Sequence, residues 1–428
     1  MSGASIAVQP LANASGDSEK DYLADGITEY LHGALTGVAA LRVASRGRAA
    51  ALYAHQSLAD QGRLLDVQAL LDGSVTALGG QIRVQARLVR AADGSAHWTE
   101  LIDRKPEELF QGLHGVVARV LAALQVAPTE RERIALDHIP TARAQAVDPY
   151  LRARNLSGQI RRTNQEYAIE MYGDAIQADP AFALAHAGKA NAHSMLFAYW
   201  SSNDENLAAA ERSSARAVEL APSLAESQLA RGVALSLNKR HDDAEAAFRL
   251  ALELKPNDFD AHYQYARHCR TVGRLVEAAR WFESATRLRP EDYATPALLS
   301  SVYVSLEQPD QALQAQRRAV ELADERLKLV PDDERALYLG ASCLSSLGDS
   351  SRAREWAKRA VAMEPDDSAV LYNVACVYAL LGLHDSAIDC LERAVQNGFG
   401  HWDWIAHDSD LDPLRAHPRF ATLHAPSK

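Results

Sequence analysis

The sequence predicts a multidomain protein in which a small α/β domain precedes an all-α superhelical solenoid. Two observations support this prediction. Between residues 5 and 125, short apolar strands alternate with helical stretches, as in a small α/β domain. From residue 149 onward the strand patterns disappear, and a pattern of small and aromatic residues recurs at a spacing of 34 residues. Such a recurrence indicates stacked helix pairs.

The repeat is clearest in the middle of the chain. It reads alanine, aromatic, alanine, proline at Ala244, Phe248, Ala251, Pro256 and again at Ala278, Phe282, Ala285, Pro290. Alanines at i and i+7 lie on one helix face, where the neighbouring helix can come close, and the ring fills the remaining space. Proline ends the second helix because it has no amide donor. A spacing of 34 residues is the tetratricopeptide period.

We therefore predict a tetratricopeptide solenoid over residues 149–399. Its seven helix pairs are expected at 149–182, 183–224, 225–258, 259–292, 293–333, 334–367 and 368–399. The second and fifth pairs exceed the period, and the surplus falls in 181–206 and in extra helical turns after Ala319. Residues 400–428 are expected to cap the last apolar face, using Trp402, Ile405, Leu411, Leu414 and Phe420.

In residues 1–140 the pattern predicts the α/β domain. Helices are expected at 21–36, 58–65 and 106–124, and strands at 5–9, 41–44, 75–78, 81–88 and 97–100. Gly79-Gly80 predicts a two-residue hairpin turn. The loop 13–17 follows a strand, where α/β domains often bind ligands, although turn residues are as typical of a plain connection. Asp25 and Glu29 stand at i and i+4, either as a carboxylate pair or as a solvated helix face.

Charge and composition exclude several classes of function. The net charge of −11 repels a phosphate backbone, so nucleic acid is not expected as a partner. No segment supplies the roughly 20 uninterrupted apolar residues of a membrane span. We expect a soluble, cytoplasmic chain as given, or a periplasmic one if it is cut from a membrane-anchored parent. The strand at 5–9 leaves almost no leader, as expected at a domain edge or in a piece of a longer protein.

Motifs for catalysis are not found in the sequence. It contains no phosphate-binding GxxxxGK[ST] loop, no HExxH zinc motif and no GxSxG nucleophile elbow. We therefore predict neither catalytic residues nor a cofactor, and the protein is not expected to be an enzyme. Cys269, Cys343, Cys376 and Cys390 form no CxxC pair, so we expect core cysteines and no metal site.

Several ordered stretches resemble known families. They are S-I-A-V-Q-P-L-A-N-A-S-G-D from Ser5, Y-L-A-D-G-I-T-E-Y-L at 22–31, L-L-D-G-S-V at 70–75 and G-S-A-H-W-T-E at 94–100. Together they resemble the TolB amino-terminal-like domain. The ending D-L-D-P-L-R-x-x-P-R-F at 410–420 looks like the usual terminus of the same architecture. In bacteria this architecture commonly forms the carboxy-terminal part of class III adenylate or guanylate cyclases, or of membrane-anchored winged-helix regulators. The resemblance implies a regulatory or sensory attachment.

The inner surface of the solenoid is the predicted binding site for a protein or peptide partner, because first helices line it. The candidate anchors are Tyr263, Arg267, Arg270, Arg335, Tyr338, Tyr372 and Asn373. Tyrosine and arginine are favoured binding anchors, but these tyrosines could instead only pad helix contacts. The lysine and asparagine set that grips acidic carboxy-terminal tails is missing, since Ala187 and Gly188 stand where it requires polar groups.

Two further hypotheses remain open at this stage. The chain could be the sensory part of a nucleotide cyclase, with a small ligand bound by the amino-terminal domain. It could also be an enzyme with an unrecognised site, in which case Asp17 or Asp25 would be required for turnover.

Overall fold

The computed structural model describes residues 3–53 and 57–423. It confirms the predicted fold class, a small α/β region with a mixed sheet followed by a long all-helical solenoid. The described residues divide into two compact units. Unit 1 consists of residues 3–193 together with 209–261, and unit 2 consists of residues 194–208 together with 262–423. The predicted domain limits at 140, 149 and 399 stay predictions.

The α/β region is built on one mixed sheet. Its strands are β1 Ser5–Val8, β2 Ala12–Asn13, β3 Arg42–Val43, β4 Ala69–Leu78, β5 Gln81–Arg90 and β6 Ala96–Arg104. The strand order is β3-β1-β4-β5-β6, with β2 also pairing with β4. Strand β4 is parallel to β1 and antiparallel to β5. The hairpin between β4 and β5 turns at Gly79 and Gly80, whose φ angles of 59° and 79° suit glycine, as predicted.

Five helices belong to the same region. They are α1 Asp21–Thr36, α2 Arg46–Tyr53, α3 Leu58–Leu65, α4 Leu109–Ala123 and α5 Glu130–Leu136. Alternating strand residues such as Ile6 and Val8 are buried in one hydrophobic core with apolar residues of α1 and α4. The sequence pattern does not predict α2 or α5. The buried positions in α2 are few, and α5 exposes nearly all of its side chains, so neither shows an apolar period.

Seven helix pairs follow one another in the described part of the solenoid. They are α6 Ala144–Ser157 with α7 Arg162–Ala178, α8 Ala183–Tyr199 with α9 Asp204–Leu220, α10 Ala225–Leu237 with α11 His241–Leu254, α12 Phe259–Thr271 with α13 Leu275–Leu288, α14 Ala294–Ser305 with α15 Pro309–Leu329, α16 Glu334–Ser346 with α17 Ser350–Met363, and α18 Ser368–Leu380 with α19 His384–Gln396. The first pair begins at Ala144, ahead of the predicted start at 149, and Pro149 lies inside α6. The extra turns predicted after Ala319 are the second half of α15.

Glycines in the first helix of a pair admit a ring from the second helix. A Cβ atom on Gly232 would come within 2.8 Å of the Phe248 ring, and one on Gly340 within 2.3 Å of the Trp356 ring. Both rings are buried. Adding a methyl group there would force the two helices apart, which explains why small and large residues alternate across each pair.

Described residues of the carboxy-terminal segment pack against the last pair. Helix α20 spans Trp402–His407, and a 3-10 helix follows at Ser409–Leu414. Ile405, Leu411 and Leu414 are buried in the core of the last repeats, while Trp402 and Phe420 pack against it. Of the helices in the described part of the chain, none combines the length and the apolar character that a membrane span requires.

Hydrogen bonds between polar side chains join α1 to α6 within unit 1, and they involve Asp25 and Glu29. Neither carboxylate pairs with the other. Asp25 accepts a hydrogen bond from Asn155 Nδ2 at 3.1 Å, and Glu29 accepts one from Arg154. Asp25 is exposed and Glu29 is half-buried, so this face of α1 is partly solvated and partly packed against α6. These carboxylates therefore hold the first helix pair to the α/β core.

Candidate partner-binding site

The predicted anchors lie mainly on the first helices of unit 2. We call the surface formed by α12, α14, α16 and α18 the first-helix face. Tyr263, Arg267 and Arg270 follow one another at i, i+4 and i+7 on α12, so they share one side of that helix. Arg335 and Tyr338 stand one turn apart on α16. The repeat period thus brings the same helical positions of successive pairs onto one surface.

Contacts between α12 and α16 connect three of the predicted residues. Arg335 Nη2 donates a hydrogen bond of 2.8 Å to the Tyr263 hydroxyl oxygen. The Arg267 guanidinium carbon lies 6.0 Å from the centre of the Tyr263 ring. Tyr263 is buried, and both arginines are half-buried. The tyrosine therefore acts as a support on which the two guanidinium groups are positioned.

Arg270 completes a group that we call the arginine cluster, consisting of Arg267, Arg270 and Arg335. Its side chain is exposed to solvent, and its Nη1 donates a hydrogen bond of 3.3 Å to Ser301 Oγ. Desolvation by the surrounding protein, together with Arg267, lowers the pKa of Arg270 below its usual range. The cluster therefore concentrates positive charge in a protein whose net charge is −11.

Tyr199 lies beside the arginine cluster. The sequence did not predict that this residue belongs to the site. The Arg267 guanidinium carbon is 5.5 Å from the centre of the Tyr199 ring. Burial acts to raise the pKa of Tyr199, but the positive charges of Arg267, Arg335 and Arg270 lower it below the usual value. The Tyr199 hydroxyl is therefore within electrostatic reach of all three guanidinium groups.

A segment of the chain itself, residues 194–203, carries Tyr199 onto the first-helix face. Trp200 Nε1 donates a hydrogen bond of 2.6 Å to Asp367 Oδ2, and Ser368 Oγ donates one of 3.3 Å to the Tyr199 carbonyl oxygen. Ser202 Oγ lies 2.9 Å from His401 Nε2. Residues of the second pair thus contact residues from the start of α18 and from the cap, all within unit 2.

The signal that could have revealed this segment was visible in the sequence. The surplus of the second pair falls in 181–206, and that stretch contains the aromatic run Phe197, Tyr199 and Trp200. The spacing of the second pair predicts only that this helix pair is longer than its neighbours. Aromatic residues in a surplus stretch indicate a packing partner elsewhere in the chain, because exposed rings of that size are unfavourable.

Tyr338 lies near the arginine cluster, whereas Tyr372 and Asn373 have other neighbours. Tyr338 is buried, which raises its pKa, and Arg335 opposes that shift. Tyr372 instead stacks on Phe399 with a centroid distance of 4.1 Å and donates a hydrogen bond of 2.6 Å to Asp408. Asn373 Nδ2 donates to Ala369 O of its own helix at 2.8 Å. In the structure these two residues serve the cap and α18.

Near Tyr372, three side chains of the described residues place potential ligand atoms within 4.8 Å of one another, namely Cys376, Asp408 and Asp410. Their hydrogen bonds account for this proximity. Asp408 accepts from the Tyr372 hydroxyl, lies 3.7 Å from Cys376 Sγ, and caps the following 3-10 helix through the Asp410 amide. Burial raises the pKa of the Cys376 thiol well above its usual value, so the sulfur is protonated.

The other three cysteines are buried, in agreement with the expectation of core residues. Burial raises the pKa of Cys343 to about 12 and that of Cys390 to about 11. Thiols with such values stay protonated at neutral pH and are poor nucleophiles.

The loop 13–17 in unit 1 is closed by its own hydrogen bonds. Asn13 Nδ2 donates to the Asp17 carbonyl oxygen at 2.7 Å and to Asp21 at 2.7 Å. The Ser15 amide donates to Asn13 Oδ1, and Asp17 accepts from the Glu19 amide. This pattern is that of a connection which also caps the start of the next helix.

Comparison with known proteins identifies the repeats. Residues 202–259, 241–293, 298–368 and 344–398 match the family model described as Tetratricopeptide repeat. The matched residues lie in the helix pairs of the all-helical, TPR-like solenoid.

The chain is also similar to a curated protein named "Putative adenylate cyclase 3" from Rhizobium meliloti (strain 1021). The two are 30% identical over 246 residues, which is 57% of this chain. The chain spans 42% of the length of that relative.

Among solved structures, the chain is similar to YrrB, described as a TPR protein with an unusual peptide-binding site. The identity is 26%, the match covers 44% of this chain and 94% of YrrB, and the TM-score is 0.28. A second similar structure is the APC/C hetero-tetramer Cut9–Hcn1. There the identity is 13%, the coverage 72% and 53%, and the TM-score 0.45.

Proposed function

We propose that this chain is a non-catalytic protein-interaction module whose tetratricopeptide repeats bind a peptide or a partner helix on the first-helix face of unit 2. The observation that carries the proposal is the arginine cluster with its tyrosine supports. Tyr263, Arg267, Arg270, Arg335 and Tyr338 come from two helices and meet on one surface. Arginine and tyrosine side chains held on rigid helices are favoured anchors for a protein partner.

The solved structures give this proposal a precedent. YrrB, which is 26% identical to the matched part of this chain, is described as having a peptide-binding site. Tyr372 and Asn373, which were also predicted as anchors, lie on α18 and contact the cap and their own helix. Their own hydrogen bonds to Asp408 and Ala369 make them secondary contributors.

The test is capture of partners from a lysate of the source organism with the purified chain as bait. The variant Arg267→Gln, Arg270→Gln keeps the buried tyrosines and removes two charges from the proposed surface. Its matched control is Arg352→Gln, Arg359→Gln, which removes two arginines from α17. Each variant is first melted by circular dichroism to establish that it is folded.

We expect specific partners, identified by mass spectrometry, to be lost with the Arg267, Arg270 variant and kept with the control. Unchanged capture by the Arg267, Arg270 variant would contradict the assignment of the first-helix face as the binding surface. Equal loss with both variants would show that the charge of the repeats, and not this surface, determines capture.

As a second candidate, we propose that the chain is a regulatory part of a larger nucleotide cyclase, with residues 1–140 forming a TolB amino-terminal-like domain that binds a small ligand. The similarity to a protein named as an adenylate cyclase supports it. The mass of the native protein, isolated from its source, separates the two candidates. A product longer than this chain would favour the cyclase part, and a product that begins at Met1 would count against it.

A further inference from the structure

The arginine cluster lacks the acidic partners that most arginines of this protein have. In unit 2, Arg352 pairs with Asp324 at 2.8 Å and Arg326 pairs with Asp333 at 2.7 Å. For Arg267, Arg270 and Arg335, by contrast, no carboxylate of the described residues lies within the 4.0 Å of an ion pair. Asp408 and Asp410 act on Arg270 only from a longer distance.

Neutral groups take the place of carboxylates around the cluster. Arg335 donates to the Tyr263 hydroxyl and Arg270 to Ser301, while Arg267 donates to Gln264 Oε1 at 3.4 Å and to the Tyr199 hydroxyl. Each guanidinium has five N–H donors in a planar fork that matches a carboxylate. These contacts use only a few of the donors, so the cluster has unused capacity for an anion.

Tyr199 occupies the position that an anion would take. The Arg267 guanidinium carbon lies 5.5 Å from the centre of its ring, and its hydroxyl is acted on by all three guanidinium charges. A phenol is a weak match for that environment, because hydrogen bonds to a charged acceptor are roughly twice as strong as those to a neutral one. The chain therefore presents a neutral side chain where a negative one would be bound more strongly.

The segment that carries Tyr199 is held to unit 2 by bonds that do not require a charge on Tyr199. Ser368 binds the Tyr199 carbonyl oxygen, and Ser202 contacts His401. Trp200 donates to Asp367, whose carboxylate also caps α18 through the amides of Ala369 and Val370. Movement of the Tyr199 ring would leave these three attachments in place.

We propose that an acidic peptide is the partner of this surface, and that its carboxylate binds among Arg267, Arg270 and Arg335 by displacing the Tyr199 side chain. This inference rests on the proposed function of the first-helix face and deepens it in two respects. It assigns the partner's chemistry, a carboxylate on an extended or helical peptide. It also assigns a regulatory role to Tyr199, which competes with the peptide and lowers its apparent affinity.

The experiment is a titration followed by fluorescence anisotropy, with a labelled hexaglutamate peptide blocked at both ends. Hexaglutamine with the same label and blocked ends is the uncharged control, and inorganic phosphate serves as a competing free anion. We expect hexaglutamate to bind the full chain and hexaglutamine to bind at least about tenfold more weakly. Equal binding of the two peptides would overturn the proposal.

Two variants locate the binding and test the role of Tyr199. Arg270→Gln changes an exposed side chain and should weaken hexaglutamate binding about tenfold or more, while the control Arg352→Gln stays within about twofold. Tyr199→Ala should strengthen binding about threefold or more, because it removes the competitor. Unchanged binding by Arg270→Gln would contradict the site, and unchanged or weaker binding by Tyr199→Ala would contradict the competition.

Competition with inorganic phosphate distinguishes a site for a peptide carboxylate from a site for any free anion. Displacement of hexaglutamate by millimolar phosphate, with an equal effect on the control variant, would show a site for any small anion and overturn the peptide assignment. Failure of this inference is distinct from failure of the proposed function. A chain that captures partners through the first-helix face but does not discriminate hexaglutamate from hexaglutamine would keep the function and lose the inference.

Discussion

Two groups of basic side chains, one in each unit, lie among packed helices but have different partners. In unit 1, Lys255 Nζ lies 3.1 Å from Glu226 and 3.3 Å from Asp258, and its side chain is only 9% exposed. Arg154 bonds to Glu29 in the same unit. In unit 2 the arginine cluster meets hydroxyl groups, an amide and aromatic rings.

The difference separates a structural role from a binding role. Removing a charge from water is costly, and a carboxylate partner with good geometry offsets that cost. The paired charges of unit 1 therefore hold helices together. The positive charge of the arginine cluster in unit 2 is only partly compensated by neighbouring groups, which lowers stability. A binding surface tolerates this cost because its ligand provides the missing negative charge.

The largest effect is expected from Lys255→Met. It leaves Glu226 and Asp258 without their shared cation, and breaking a buried ion pair in this way costs about 3 kcal/mol. Burial alone would lower the pKa of Lys255, but the two carboxylates raise it above its usual range. Because the folded pKa is raised, this stabilisation is present below about pH 10 and is lost only above it.

The measurement is urea unfolding at pH 7, with hydrogen exchange of the α10 and α11 peptides to assign the loss to unit 1. Lys239→Met, at a lysine outside these ion pairs, is the control. A loss for Lys255→Met no greater than that of the control would contradict the structural role of the paired charges.

A smaller effect is expected from Asp410→Asn, which tests a carboxylate of unit 2. Burial and the neighbouring Asp408 raise the pKa of Asp410 to about 6, while Arg270 opposes the shift. A raised carboxyl pKa means that the folded state binds the proton more tightly, so stability falls as pH rises from about 4 to about 6.

At pH 7 the ionised Asp410 is therefore unfavourable, and Asp410→Asn should stabilise unit 2 by about 1–2 kcal/mol. The variant should also lose part of the pH dependence between about 4 and 6. Thermal melting across this pH range provides the comparison, and identical profiles for both proteins would refute the assignment of that titration to Asp410.

The smallest change in stability is expected from Arg335→Met. The substitution removes a partly compensated charge along with its hydrogen bond to Tyr263, and the two effects oppose each other, so we expect a change within about 1 kcal/mol. This would contrast with Lys255→Met although both remove a cation from packed helices. A loss as large as that of Lys255→Met would show that the arginine cluster is structural and would remove the distinction between the units.

The sequence predicted the architecture well because the repeat has a local physical cause. Small residues at close helix contacts, and prolines after the second helices of the first six pairs, are local features that predict helix pairs without distant contacts. The same reasoning placed Tyr263, Arg267 and Arg335 on one face from their repeat positions.

What the sequence did not predict depends on contacts between distant repeats. Tyr199 and Trp200 reach Arg267 and Asp367 because the stacked pairs bring the second pair to later ones, and no local pattern encodes that approach. Tyr372 looked equivalent to Tyr263 by repeat position, but the cap supplies Asp408 and Phe399 as its neighbours. Position in a repeat predicts which way a side chain faces, and not what it meets.

The most direct test of the account is the pKa of Tyr199 in the intact chain. Ultraviolet titration of the wild-type protein minus that of Tyr199→Phe isolates this phenol. The arginine cluster should lower its pKa below the usual value of about 10, whereas burial should raise the pKa values of Tyr263 and Tyr338 above it. A pKa below about 10 would establish that the arginine cluster produces a positive electrostatic potential at the Tyr199 hydroxyl, as a site for an anion requires. A value at or above it would contradict the central claim.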